Sequence, residues 1–409
     1  MSVAYQIAMS VTYKDIEAAR KRLDRIVKPT PIMTSTTLDQ MIGARVLIKP
    51  ENLQKTGSFK IRGAFNRVAA MTDAEKKRGV VAASAGNHGQ ALAWAASRAG
   101  VKATIVMPRT AAIAKIAATR AYGQEVVLEG VDYQEARRAA EALCDEKGAL
   151  YIDAYDDPLI IAGQGTVGIE IAEQAAPDVV MVPVGGGGLI AGIAIAIKER
   201  CPNAEVIGVE AAGSPQLSLS LARNAPSSID RPVDTIADGL ATGRIGKIPF
   251  DAIRSRVRRA VTVDDYEIGA AVLLMLERMK LLAEGAGATA LAGAIKIADE
   301  LKGKTVVVVV SGGNIDINLL DRIIGHGLAK MGRLFRFAID MHDRPAELAR
   351  LLTEIAAAGA NVHTIEHDRT RRDVPIGCAR VMLELETRGP DHIALIRSHL
   401  ASRGYQVVE

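Results

Sequence analysis

Two kinds of pattern share most of this chain. Short uninterrupted apolar runs at 79–83, 101–107, 179–184, 205–210 and 305–310 are too brief for buried helices and read as strands covered on both faces. Between them, apolar residues return every three or four positions over 13–26, 90–98, 110–122, 133–147, 189–197 and 266–282, which predicts helices. Shorter strands are expected at 44–49, 125–128 and 149–152. Alternation of strand, loop and helix predicts a doubly wound α/β fold. The loops 84–88 and 185–188 and the segment from Ser311 then follow the C-terminal ends of strands, on the edge where open α/β sheets bind ligands.

The pattern changes over the last 76 residues. Residues 334–341 alternate like a strand, and Asp343-Arg344-Pro345 opens a helix with Leu348, Leu351, Leu352 and Ile355 on one side, closed by Gly359. Strands at 361–367 and 377–386, a helix at 390–400 and a strand at 405–408 complete the order βαββαβ, which is ferredoxin-like. We expect a catalytic domain over 1–324, with a smaller α/β subdomain at roughly 52–155, a linker at 325–333 and a separate domain over 334–409.

Lys60 is the first candidate for chemistry. It stands between Phe59 and Ile61, so its amine is partly desolvated, its pKa is pulled down and it is nucleophilic near neutral pH. The competing reading is a lysine that snorkels to water past a core phenylalanine. Four glycines, Gly185 to Gly188, between a core strand and the helix from Leu189 let several backbone N–H groups converge on a phosphate. Gly186-x-Gly188-x-x-Ala191 also fits a dinucleotide fingerprint, and Glu210 ends the next strand where such folds place a ribose-binding acid. That NAD-linked oxidoreductase reading leaves the lysine segment, Asn87 and Ser311 without roles. Ser84 to His88 lie at a helix N-terminus, which suits a carboxylate, or Ser84 or Asn87 simply caps the helix.

Composition narrows the classes. Half of the 409 residues are apolar and a quarter charged, and no apolar run approaches the ~20 residues of a membrane span. A net charge of +4 with interspersed signs disfavours nucleic acid. Residues 1–12 have neither the basic start nor the apolar run of a signal peptide, so a cytoplasmic protein is expected. Cys144, Cys201 and Cys378 show no metal or disulfide spacing.

Lys55-Thr56-Gly57-Ser58-Phe59-Lys60-Ile61-Arg62-Gly63-Ala64-Phe65-Asn66, Ser84-Ala85-Gly86-Asn87-His88, Gly185 to Leu189 and Ser311-Gly312-Gly313-Asn314 occur in one order over nearly all of residues 15–325. Together they resemble the serine/threonine dehydratase family, pyridoxal-phosphate enzymes of the tryptophan-synthase β fold, fold type II. The resemblance implies that Lys60 carries the cofactor as a Schiff base with Phe59 beside it. It implies that Gly185, Gly186, Gly187, Gly188 and Leu189 hold the phosphate, Asn87 meets the phenolic oxygen and Ser311 the pyridine nitrogen. Ser84, Asn87 and His88 would hold the substrate carboxylate.

The same resemblance implies dehydration and deamination of L-threonine to 2-oxobutanoate and ammonia, and of L-serine to pyruvate. Freed Lys60 would act as the base at Cα and the cofactor phosphate would protonate the leaving oxygen. Dehydration of 3-hydroxyaspartate and serine racemisation remain alternatives, although Ala85 stands where the family's racemases carry a serine. Glu284-Gly285-Ala286-Gly287 lies beside the cofactor ring in the family; read alone, it is as readily a helix C-cap with a loose acid. Some members bind a cation near the position of Glu210, but the second acid is missing here, and we expect no metal. Asp343 to Leu348 with Gly359 to Val362 resembles the ACT regulatory domain, which implies an amino-acid effector and a homo-oligomer, dimer or tetramer. Ala346 replaces that domain's usual glycine, and a purely structural role in assembly is the alternative.

Overall fold

The computed structural model describes residues 10–408. The expectation about a signal peptide falls on residues 1–12 and therefore lies mostly outside them. The chain divides into two compact units that meet between Asp316 and Ile317.

The first unit holds two sheets. Strands β1 (Met33–Thr34), β2 (Arg45–Pro50), β7 (Val179–Pro183), β8 (Glu205–Ala211), β9 (Val257–Val263) and β10 (Thr305–Val310) form the larger, in the order β1-β2-β10-β7-β8-β9, parallel except for β1. Strands β3 (Val80–Ala83), β4 (Ala103–Met107), β5 (Glu125–Leu128) and β6 (Leu150–Tyr151) form the smaller, all parallel, in the order β5-β4-β3-β6. Strands β3, β4 and β7 are buried along their whole length, and β10 from its second residue, because helices cover both faces. The larger core gathers Val180, Val182, Ile190, Ile193, Val307 and Val309; the smaller gathers Ile61, Phe65, Val80, Leu92 and Ile105.

Two features depart from the sequence pattern. The apolar spacing marks no helix over 158–174, yet Pro158–Gln174 is the longest in the chain, started by Asp157, whose carboxylate accepts from Leu159 N and Ile160 N. Gly163, Gly165 and Gly168 weaken its helical signature, but each lies where another helix comes close: a Cβ on Gly163 would stand 2.5 Å from the Arg62 carbonyl oxygen. The expected helix 266–282 is instead Asp265–Leu274 followed by a π turn, Met275–Met279, that ends at left-handed Lys280. Glu284 therefore precedes a new helix, Gly285–Lys296, rather than closing an old one. Its glycines read as a terminator, but a Cβ on Gly287 would stand 2.2 Å from the Gly312 carbonyl oxygen, so they mark close backbone approach.

The second unit begins with the helix Ile317–Lys330, so residues 325–330 are helical where a linker is expected; Ile317, Leu320, Ile323 and Ile324 keep helical spacing through the glycines. Strands β11 (Leu334–His342), β12 (Asn361–Asp368), β13 (Cys378–Glu386) and β14 (Val407–Val408) form an antiparallel sheet in the order β12-β13-β11-β14. With helices Glu347–Ala357 and Pro390–Ser402 the order is βαββαβ, and the core joins Phe335, Phe337, Ile339 and Leu383 to Leu351, Ile355, Ile396 and Leu400.

Candidate active site

The segment before Lys60 is held against the end of β10. Gly313 N donates to Gly57 O at 2.9 Å, Phe59 N donates to Ser311 O at 3.0 Å, and Ser58 bridges Gly312. Thr56 and Gly57 both take left-handed φ values, 62° and 72°, so the chain reverses sharply and delivers Lys60 as the first residue of helix Lys60–Ala69. Lys60 Nζ donates to the Ala154 carbonyl oxygen at 3.0 Å and lies 5.2 Å from the Phe59 ring centre. Burial lowers its pKa to about 8, while Asp153 and Glu284 hold it from falling further.

Lys60 faces a cavity of about 420 Å³ formed where the carboxyl ends of β3, β7 and β10 converge. Gly185 to Gly188 and Leu189 line one side. Gly187, at φ 94°, turns the chain into helix Gly188–Arg200, whose first turn has no side-chain cap. Its leading N–H groups are therefore available to an anion. Tyr155 packs so closely here that a Cβ on Gly186 would meet its ring at 2.3 Å.

Opposite lie Ser84, Asn87 and His88. Ser84 Oγ accepts from Gly86 N at 3.2 Å and Gly89 N at 3.0 Å, which leaves its O–H as a donor. Helix Asn87–Ala99 has no side-chain cap at its start either. The His88 ring is buried with Nε2 3.2 Å from Ile152 O, and burial, then Lys60, pushes its pKa down to about 4. A neutral His88 brings no positive charge to a carboxylate.

Asn87 Nδ2 donates to Glu284 Oε1 at 2.6 Å. Burial, then Asp238, raises the Glu284 pKa to about 7, while Asn87, Lys115 and Lys60 pull it back. Lys115, on helix Ile113–Arg120, pairs with Asp238 at 2.5 Å at the rim of the cavity. Ser311 Oγ donates to Ala286 O at 3.3 Å and lines the same space.

All the candidate residues named from the sequence thus line one cavity. Sequence reasoning missed the Ala154 carbonyl, which carries no side-chain signal, and gave no role to Lys115. Glu210 lies elsewhere in use: its carboxylate accepts from Leu217 N at 2.7 Å, Ser218 N at 3.0 Å and the Ser218 hydroxyl, as the cap of helix Gln216–Arg223. Both oxygens are thereby engaged, which removes the acid that the dinucleotide reading needs.

Residues 23–312 match the family described as pyridoxal-phosphate dependent enzyme. The chain belongs to this family. It is 46% identical over 400 residues to an L-threonine ammonia-lyase of Thermotoga maritima, covering 97% of this chain and 99% of that protein. It is 44% identical over 398 residues to an L-threonine ammonia-lyase of Geobacter sulfurreducens, covering 97% and 98%. Among solved structures, a bacterial-type chain named threonine deaminase superposes with a TM-score of 0.71 at 41% identity, over 75% of this chain and 99% of that one.

For a pyridoxal-phosphate enzyme the residues present fit the cofactor. An uncapped helix start behind four glycines suits the phosphate, and a desolvated amine at pKa about 8 suits attachment of an aldehyde. Ser311 offers an uncharged hydroxyl, and Asn87 an amide, within the same walls.

Proposed function

We propose that this chain is an L-threonine ammonia-lyase, converting L-threonine to 2-oxobutanoate and ammonia and L-serine to pyruvate. The observation that carries it is Lys60: a desolvated amine at the junction of three strand ends, in a chain 46% identical over nearly its whole length to a protein of that name. When bound, pyridoxal phosphate supplies the electron sink for the charge left when the Cα proton departs. Lys60 holds the cofactor and, when free, is the base that takes the Cα proton; a pKa of about 8 leaves part of it neutral near pH 7. Gly185 to Leu189 bind the phosphate through backbone N–H groups, and Phe59 walls the lysine side.

Ser84 and the N–H groups opening helix Asn87–Ala99 hold the substrate carboxylate. His88 contributes through its backbone and by fixing the loop to Ile152. Asn87 faces the ring oxygen, and Ser311 the ring nitrogen, where a hydroxyl sustains less positive charge than an acid would. Ala85 offers no proton-bearing group on its side of the cavity, which favours elimination over racemisation. The three cysteines are free thiols, in keeping with a cytoplasmic enzyme.

The test is 2-oxo acid formation by the purified holoenzyme from L-threonine, L-serine and 3-hydroxyaspartate. We expect the highest kcat/KM with L-threonine and near-complete loss in Lys60→Ala; no 2-oxo acid from any of the three overturns the reading. We further read the second unit as an ACT-like domain that binds an amino-acid effector and helps a homo-oligomer assemble, supported by its βαββαβ order. The threonine deaminase of known structure matches three quarters of this chain over nearly its own full length, so the remaining quarter is dispensable in a relative. A chain ending at Lys330 should keep turnover and lose any response to isoleucine or valine. If neither amino acid binds or alters the full-length enzyme, the unit is structural.

A further inference from the structure

Asn314 has no part in the site described so far, yet its amide controls the direction of another. The Thr56 carbonyl oxygen can only accept, so the Asn314 atom 2.8 Å from it is the donor nitrogen, Nδ2. The same Nδ2 lies 2.7 Å from the Asn87 amide, which must present Oδ1 to it. Asn87 Nδ2 then points to Glu284 Oε1 at 2.6 Å and keeps a second hydrogen. Turned over, Asn87 would set its oxygen against a carboxyl oxygen that accepts, and its nitrogen against a nitrogen that only donates. One backbone carbonyl thus fixes two amides in series.

The surroundings are shaped around this relay. A Cβ on Gly57 would stand 2.3 Å from Asn314 Oδ1, and one on Gly312 would stand 2.3 Å from Glu284 Oε1 and 3.1 Å from Asn87 Nδ2. Thr56, which supplies the carbonyl, holds an unfavourable left-handed φ of 62°.

We propose that Asn314 is a positioning residue that sets which way the Asn87 amide faces, so that the cavity meets an N–H donor from Asn87 rather than its carbonyl oxygen. This rests on the placement of Asn87 at the cofactor's ring oxygen. Aspartate at 314 nearly matches asparagine in shape but cannot donate to Thr56 O or to Asn87 Oδ1. Asn87 would turn over to satisfy it and present oxygen to an oxygen.

The experiment is titration of the apoprotein with pyridoxal phosphate, followed by the dissociation constant and the absorption spectrum of the bound cofactor, in Asn314→Asp and Asn314→Ala. The relay predicts that Asn314→Asp weakens binding about tenfold and displaces the visible band, whereas Asn314→Ala costs about threefold with the band in place. A residue that merely fills space predicts the reverse order, and equal or larger loss in Asn314→Ala overturns the proposal. Should Asn314→Asp fail to fold, Asn314→Ala combined with Asn87→Ala serves instead: the relay predicts a double variant no worse than Asn87→Ala, and additive losses overturn it. If Asn87→Ala alone leaves affinity and spectrum unchanged, the placement of Asn87 is what fails.

Discussion

Arg62, two residues after the reactive lysine, is completely buried, and replacing it by methionine should cost the fold about 3–5 kcal/mol. Its guanidinium makes five hydrogen bonds. Nε and Nη2 meet the two Glu51 oxygens at 2.7 and 2.8 Å, Nη1 and Nη2 meet the two Glu170 oxygens at 2.6 and 3.0 Å, and Nη1 meets Thr166 Oγ1 at 3.1 Å. Methionine fills much of the volume but leaves both carboxylates without this partner. Glu170 keeps Lys49 Nζ at 2.6 Å, whereas Glu51, fully buried, keeps only the Thr30 hydroxyl at 2.7 Å. The cost is therefore concentrated on Glu51, and Glu51→Gln added to Arg62→Met should recover about half of it, because an amide is far cheaper to bury than an unpaired charge.

Trp94 is the chain's only tryptophan and packs at 6.1 Å on Phe65, in the same helix as Arg62, so its fluorescence reports this region in urea titrations. A loss below about 1 kcal/mol in Arg62→Met, in the range of an exposed pair, would refute the reasoning, as would a double variant no more stable than the single one.

The remaining predictions address the cavity and the second unit. The rate at which pyridoxal phosphate joins the apoprotein should rise as pH passes about 8, because the neutral Lys60 amine is the nucleophile; stopped-flow absorbance gives the midpoint, and a flat profile would contradict it. Glu284 has a folded-state pKa raised to about 7, so the apoprotein loses stability as pH rises from its ordinary value through 7. Glu284→Gln should remove that loss, leaving the variant more stable than wild type by up to about 3 kcal/mol in urea at pH 8 and no more stable at pH 4. Lys115→Ala and Asp238→Asn should shift the Glu284 titration in opposite senses, upward without the cation and downward without the anion, read from the pH profile of kcat/KM. Ala346 caps its helix at φ 72°, so Ala346→Gly should stabilise the second unit by about 1 kcal/mol, measurable as a raised melting temperature.

Much of the fold is legible in the chain because its strands are buried on both faces. Runs such as 179–183 and 305–310 admit no other reading, and glycines placed between a core strand and a core helix declare a phosphate loop. Lys60 is legible for a related reason, since an amine set between Phe59 and Ile61 must lose water. What the sequence could not convey depends on contacts between distant segments. Helix Pro158–Gln174 was hidden because Gly163 and Gly168 weaken helical propensity locally, while their value lies in letting helices Lys60–Ala69 and Gly188–Arg200 approach. Glu284 looked like the end of one helix and proved to precede the next, and its raised pKa follows only from burial beside Asp238. The direction of Asn87 is settled by a carbonyl 31 positions earlier and an amide 227 positions later, a relation fixed by the pairing of Thr56–Phe59 with the end of β10 and by no local preference of asparagine.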